Sequence, residues 1–206
     1  MIKNNYKKNK LQIITFIILG ALPLFMDSYY LDNISYFMCW TFISLGLAVI
    51  WGMGGILSFG QTAFFGLAGY GFSVISINFL GVAGVSLWSI VLALILTGVF
   101  GLIVGYFLFY GGIYDVFVGI VTLAITLVFE TFMQQTAGPE YAIGSARLNG
   151  FNGMQGMPTI GFESIPFGLI EGVTQYYFML ILAIIILIAL YKFKSSKMGL
   201  IFLASK

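Results

Sequence analysis

The sequence predicts an all-α membrane protein with about six transmembrane helices and with both termini on the cytoplasmic side. The first reason is composition, because 60% of the 206 residues are hydrophobic and only 8% are charged. A soluble domain carries about 25% charged residues. The second reason is that the apolar residues form continuous runs, close to the roughly 20 residues that a helix needs to cross a bilayer. Continuous runs exclude a transmembrane β-barrel, whose strands alternate apolar and polar residues.

The distribution of lysines predicts the orientation of the chain. Between residues 11 and 191, Arg147 is the only basic residue, against seven acidic ones. Cytoplasmic segments of membrane proteins are enriched in lysine and arginine, so two basic ends predict two cytoplasmic termini and an even number of spans. No nucleic acid is expected as a partner, since its binding would need a basic face on a folded domain. The terminal lysines are Lys3, Lys7, Lys8, Lys10, Lys192, Lys194, Lys197 and Lys206.

Six apolar runs give the predicted spans of a single transmembrane domain, residues 1–206. The first run follows the lysine cluster as a signal peptide would, but no good small-residue cleavage site follows it, so an uncleaved helix is expected. A polar, Gly- and Pro-containing connection over residues 136–173 is expected outside the membrane. The predicted spans are residues 11–26, 34–51, 58–79, 86–110, 114–135 and 174–191.

The fifth span carries polar residues every four positions, which places them about 40° apart around a helix. Glu130 is the only acidic residue well inside a predicted span, and intramembrane acids commonly mark solute or ion paths. We hypothesise that these residues and one at the start of the third span line a solute path. The alternative is that the threonines bond to carbonyls of their own helix and that Glu130 extends toward the membrane surface. The candidate path residues are Gln61, Thr122, Thr126, Glu130 and Gln134.

Small residues line one face of each of two spans. In a bilayer such faces let helices approach closely, and they can also let neighbouring helices slide during transport; the sequence does not separate these two interpretations. The third span carries Thr62, Gly66, Gly69, Ser73 and Ser76, and the fourth carries Gly98, Gly101 and Gly105.

No catalytic group, metal site or cofactor is predicted. Histidine is absent and Cys39 is the single cysteine, which removes the commonest general base and any thiolate cluster. No Gly-Lys-Ser/Thr phosphate-binding motif occurs. Asp115 is interpreted as a cap at the positive end of the fifth helix.

Three stretches resemble one known family. Residues 51–70, WGMGGILSFGQTAFFGLAGY, resemble the signature of branched-chain amino-acid ABC transporter permeases, Gly-x-x-Gly-x-Leu-Ser-x-Gly-Gln/His-x-Ala-Phe-Phe-Gly-x-Gly-Ala-Tyr. Residues 150–158, GFNGMQGMP, are similar to the family's external-loop pattern Gly-x-Asn-Gly-Leu-x-Gly-Ile-Pro. Residues 121–124, VTLA, match the opening of the fifth helix in one branch of the family. The three matches occur in the family's order along the chain.

The resemblance implies a multi-pass permease subunit in a bacterial inner (plasma) membrane. Its implied partners are a second permease subunit, two cytoplasmic ATP-binding subunits and an external solute-binding protein. The implied solutes are branched-chain amino acids, amides or urea. Because such a subunit passes its solute on unchanged, it would be a transport subunit and not an enzyme, with ATP hydrolysed by its partners.

The end of the chain resembles the family's cytoplasmic coupling loop only loosely. The resemblance implies contact with an ATPase through Lys197, Met198, Gly199 and Ala204, while Leu200 stands where the family usually has a basic residue. Family members usually continue with further spans, so the chain is expected to be the N-terminal part of a permease. Two alternatives remain open: an ATP-independent carrier or channel, and a non-functional permease fragment.

Overall fold

The computed structural model describes residues 13–114, 116–161 and 169–204, and most of these residues are helical. Asp115, the predicted cap, lies outside the described residues, as does part of the predicted external connection. The helices are α1 (Ile13–Leu24), α2 (Ser28–Gly54), α3 (Gln61–Asn78), α4 (Val85–Tyr110), α5 (Val116–Gln134), α6 (Gly172–Ser195) and α7 (Lys197–Ala204). Two short strands, β1 (Ala142–Ile143) and β2 (Ala146–Arg147), form an antiparallel hairpin between α5 and α6, followed by a 3₁₀ turn (Gly150–Asn152).

The predicted helical membrane fold is confirmed. Among the described residues, four helices are long and apolar enough to cross a membrane, namely α2, α4, α5 and α6. Helix α1 is a shorter apolar helix, and α3 is not among the four. The six-span count, the span boundaries and the cytoplasmic placement of both termini remain predictions.

The outer faces of the long helices carry large apolar side chains that no described residue covers. Leu102 on α4 is 75% exposed and Val128 on α5 is 70% exposed. Water would make such surfaces costly at about 25 cal/mol per Å², whereas lipid tails are their natural solvent. The exposure pattern therefore agrees with a chain whose main solvent is the bilayer.

Helices α1, α2 and α6 pack around a small apolar cluster. Leu31 of α2 and Tyr176 and Leu180 of α6 form its buried centre, and α1 covers it with Phe16 and Leu19 among others. The hydroxyl of Tyr176 donates to the carbonyl oxygen of Leu19 at 2.6 Å. This bond uses the last turns of α1 to satisfy a polar atom that is otherwise fully buried.

Helices α3 and α4 approach each other at Gly71 of α3 and at Gly101 of α4, where a methyl group would lie 3.6 Å from the ring of Phe64. A methyl group on Gly71 would lie 3.3 Å from Leu96 and 3.6 Å from Ala93 of α4. In contrast, methyl groups on Gly66, Gly69, Gly98 or Gly105 would meet nothing within 4 Å. Gly71 is thus the α3 residue whose small size matters for α4, although it is not part of the face that the sequence pattern singled out.

Candidate functional site

The chain leaves helical geometry between α2 and α3, within the first motif. Helix α2 ends at Gly54, and Gly55 adopts a left-handed conformation (φ 71°) that favours glycine. Its N–H donates to the carbonyl oxygen of Trp51 at 3.0 Å, and the N–H of Ile56 donates to that of Ile50 at 3.3 Å. Residues 55–60 then run without helix or strand until α3 begins at Gln61. We call residues 55–60 the break.

Two threonines of α5 bond to the backbone of Phe59, the residue before the last of the break. The backbone N–H of Phe59 donates to Oγ1 of Thr122 at 3.0 Å. The hydroxyl of Thr126 lies 3.0 Å from the carbonyl oxygen of Phe59 and can donate to it. Both backbone groups of Phe59 are therefore paired by side chains four residues apart on one helix.

The same hydroxyls also face carbonyls of their own helix. Thr122 Oγ1 lies 2.8 Å from the carbonyl oxygen of Val118, and Thr126 Oγ1 lies 3.0 Å from that of Thr122. A hydroxyl has one hydrogen to donate and can also accept. Thr122 can thus donate to a carbonyl of its own helix, that of Val118 or that of Gly119 at 3.1 Å, while it accepts from Phe59. Thr126 has one hydrogen for two acceptors, the carbonyl oxygens of Phe59 and Thr122.

Two glycines allow the break to lie this close to α5. A methyl group on Gly119 would be 3.4 Å from the carbonyl oxygen of Leu57, and one on Gly60 would be 3.3 Å from Cβ of Thr122. Both distances are at or near the lower end of real contacts, so larger side chains would push the two segments apart. Ser58 is buried, and its hydroxyl oxygen accepts the N–H of Gly60 at 3.3 Å.

The break lies well inside the length of α5. At 1.5 Å per residue, Thr122 and Thr126 stand about 9 and 15 Å from the start of a helix about 28 Å long. Non-helical backbone at membrane depth is tolerated where protein or a water-filled cavity surrounds it. The threonine bonds supply that requirement for Phe59, and discontinuous helices of this kind commonly border transport sites.

A cleft of about 480 Å³ opens between α3, α5 and the 3₁₀ turn, and its lining includes Thr126, which bonds to the break. Its lining includes Glu130, whose carboxylate oxygen Oε1 accepts the amide N–H of Gln134 at 3.0 Å. Ligand sites typically enclose about 300–1,000 Å³ and combine an apolar lining with a few polar groups. The polar and small residues in the lining are Thr62, Ala63, Gly66, Tyr70, Thr126, Glu130, Gln134 and Gly150.

The structure brings three of the five sequence-predicted path residues into this cleft: Thr126, Glu130 and Gln134. Neither Gln61 nor Thr122 is among the described residues that line it. Gln61 begins α3 and is half-buried, while Thr122 is 4% exposed and binds Phe59. No observation here tests whether a solute contacts any of the five, so the path assignment stays a prediction.

The hairpin and the segment that follows the second motif are bonded to the ends of α3 and α4. The Asn78 side chain donates to the carbonyl oxygen of Ile143 and accepts the N–H of Ser145, both at 2.8 Å. The Ser86 hydroxyl lies 3.1 and 3.0 Å from the carbonyl oxygen and the N–H of Gly161.

The 3₁₀ turn packs against the residues that follow α5. Gly150 has a left-handed φ of 51° and packs against Ala137 so closely that a methyl group would not fit. These contacts position the 3₁₀ turn, whose residues Gly150 and Phe151 line the cleft.

The predicted coupling residues all lie in α7, a short helix directly after α6. The Ser196 hydroxyl donates to the carbonyl oxygen of Phe193 at 2.7 Å and accepts the N–H of Gly199 at 3.1 Å. Gly199 is buried, and a methyl group there would overlap the carbonyl oxygen of Phe193. Lys197, Met198 and Ala204 are exposed.

Several long apolar helices and a non-helical segment held against one of them describe a multi-pass helical membrane protein. The family of the branched-chain amino acid transport system permease component matches residues 29–206, so the chain belongs to that family. It is accordingly a multi-pass transport subunit of the permease class. No curated protein matches the chain, and no solved structure matches it.

Proposed function

We propose that this chain is a membrane-spanning subunit of an ABC importer in a bacterial inner membrane. Its solutes would be branched-chain amino acids or related small polar compounds such as amides or urea. A second permease subunit would complete the path, two cytoplasmic ATP-binding subunits would drive it, and an external binding protein would deliver the solute. The family membership supports this assembly, and the predicted orientation places α7 and the lysine-bearing tails on the ATPase side.

The observation that carries the proposal is the cleft between α3 and α5, which is lined by Glu130 and by Thr126, the residue that also bonds to the break. The carboxylate of Glu130 can accept from the ammonium group of an amino acid or from the N–H groups of an amide or urea. Gln134, bonded to it at 3.0 Å, can donate or accept. Since a carboxylate at membrane depth is costly, a polar solute that pairs with it would gain binding energy in the cleft.

The test is uptake of labelled leucine, urea and short amides by cells with and without the gene, and by cells with Glu130→Gln. Charge at Glu130 should matter most for an ammonium-bearing solute, so Glu130→Gln should reduce leucine uptake about tenfold or more. The matched control is Glu140→Gln, which removes the same charge from the exposed loop before the hairpin. Unchanged uptake in Glu130→Gln would remove the carboxylate from the mechanism.

The second part of the proposal is that α7 presents its exposed side to an ATPase. Met198 is 72% exposed and Ile201 is 70% exposed, and Gly199 is buried in the first turn of α7. Met198→Glu should reduce co-purification of the ATPase subunit, and Ile143→Glu, at a 53% exposed position of the hairpin, should not. Uptake that needs neither ATP nor a co-purifying ATPase would favour the carrier or channel alternative.

A further inference from the structure

A groove of about 760 Å³ runs between α1, α2 and α6, away from the cleft. One wall is a helical face of α2 that includes Leu45, Val49 and Met53, and the other is a face of α6 that includes Ile184 and Ile188. These residues follow the three- and four-residue spacing that puts side chains on one side of a helix. The walls are therefore continuous apolar surfaces.

One end of the apolar groove is positively charged. Lys192 and Lys194, in the last turn of α6, belong to its lining. No acidic residue is among the described residues that line the groove. Both lysines are exposed, and no ion pair between described residues neutralises them. The negative end of the helix dipole explains why lysines are favourable in this turn. It does not explain why an apolar groove ends at these lysines.

The length of the groove fits one leaflet of a bilayer. From Ile184 to Lys194, α6 advances about 15 Å at 1.5 Å per residue. The hydrocarbon core of a bilayer is about 30 Å thick, so one leaflet contributes about half of it. With the lysines at headgroup level, the apolar walls would extend to about the middle of the membrane.

We propose that this groove binds an anionic phospholipid, with an acyl chain between α2 and α6 and the phosphate held by Lys192 and Lys194. Basic pockets between helices on the cytoplasmic side are the places where acidic headgroups are recognised. The lipid would fill the space between α1, α2 and α6 and so brace the helices that pack around Tyr176. The proposal depends neither on the solute nor on the ATPase.

The test measures binding of phosphatidylglycerol and of phosphatidylcholine with identical acyl chains to the purified full chain, by native mass spectrometry. Phosphatidylglycerol should bind more tightly. Each of Lys192→Gln and Lys194→Gln should weaken it about fivefold, because a lysine near the surface contributes about that factor. Arg147→Gln removes one positive charge at the hairpin, at the other end of the bundle, and should leave binding unchanged. Equal binding of the two lipids, or a preference that survives both lysine substitutions, overturns the proposal.

A second measurement locates the acyl chain without relying on variants that could misfold. Phosphatidylglycerol with a photoactivatable acyl chain should cross-link to the segments 45–53 and 184–190, as mapped by mass spectrometry. Cross-links spread over the outer faces of α4 and α5 instead would mean that no specific site exists. Cross-links that avoid the groove because another protein segment fills it would equally overturn the proposal.

Discussion

The ring of Phe202 on α7 rests against the backbone of Gly54, the last residue of α2. A methyl group on Gly54 would lie 2.5 Å from the ring carbon Cζ of Phe202. Gly54 immediately precedes the left-handed Gly55 that starts the break. The ring of Phe202 thus connects α7, the helix predicted to face the ATPase, with the residue before the break. The break in turn bonds to Thr126, which lines the cleft.

This contact predicts non-additive effects of substitutions at the two positions. Gly54→Ala should destabilise the chain because the ring must move, and Phe202→Ala should destabilise it through lost packing. In the double variant the steric conflict is gone, so the combined loss should be smaller than the sum by about 0.5–3 kcal/mol. Thermal unfolding in detergent measures all four proteins. Strict additivity would show that the ring and the glycine do not interact in solution.

The bond between Thr122 and Phe59 predicts a difference between two substitutions at one site. Thr122→Val keeps the shape but removes the oxygen, which leaves the Phe59 N–H without a partner and should cost about 1–3 kcal/mol. Thr122→Ser keeps the oxygen and should cost less. The matched control is Thr97→Val, since the one bond of the Thr97 hydroxyl among the described residues is to the carbonyl of Ala93 on its own helix, at 2.8 Å. Equal losses of thermal stability in Thr122→Val and Thr97→Val would contradict the role given to Phe59.

The side chain of Asn78 predicts how the hairpin responds to protease. Arg147 is the only trypsin site between residues 11 and 191, and it lies on β2. Asn78→Ala removes the bonds to Ile143 and Ser145, which lowers the free energy needed to open the hairpin. Trypsin should then cut after Arg147 about fivefold faster for each kcal/mol by which that opening free energy falls. Asn33→Ala, which loses only a bond to Tyr29 within α2, should leave the cutting rate unchanged.

The orientation of the chain is tested by the same cut. Trypsin added outside intact spheroplasts should cleave after Arg147, because the hairpin is predicted to be external, and should spare the lysines at both ends. The fragments are read on a gel with tags at the two termini. Removal of either tag by external trypsin, with Arg147 left intact, would reverse the predicted topology.

The two neighbouring tyrosines of α6 predict unequal losses. Tyr176 is fully buried and donates to Leu19 at 2.6 Å, whereas Tyr177 is more exposed and donates to Gly20 at 3.1 Å. Tyr176→Phe leaves a buried carbonyl without its donor and should lower the free energy of unfolding by about 1 kcal/mol. Tyr177→Phe should have less effect, because the bond to Gly20 is longer and lies at an exposed position. Equal changes in melting temperature would argue against the contribution of burial.

The helical membrane class could be predicted from the sequence because hydropathy and charge act locally along the chain. Thr122 and Thr126 could also be singled out, since hydroxyls at four-residue spacing stand out on an apolar helix. Their bonds to Phe59 could not, because the partners are 63 and 67 residues apart. A polar residue that faces a solute and one that pairs with a distant peptide group have the same local pattern.

The hairpin and the packing of Gly71 have little or no signal in the local sequence. The strands of the hairpin are two residues each, too short to show alternation, and Asn78 fixes them from another part of the chain. Gly71 packs against α4 although the glycines that repeat most regularly, such as Gly66 and Gly98, meet nothing within 4 Å. Spacing reports which residues share a helix face, but only tertiary packing decides which face meets a neighbour.

The dependence of the break on α5 also has a consequence for biogenesis. The ribosome delivers Phe59 to the insertion machinery well before Thr122 and Thr126 have been synthesised. Until they emerge, the peptide group of Phe59 can be satisfied only by water or by the translocon. The helices on either side of the break therefore do not reach their final packing one at a time. They reach it after α5, which is translated later, has been inserted.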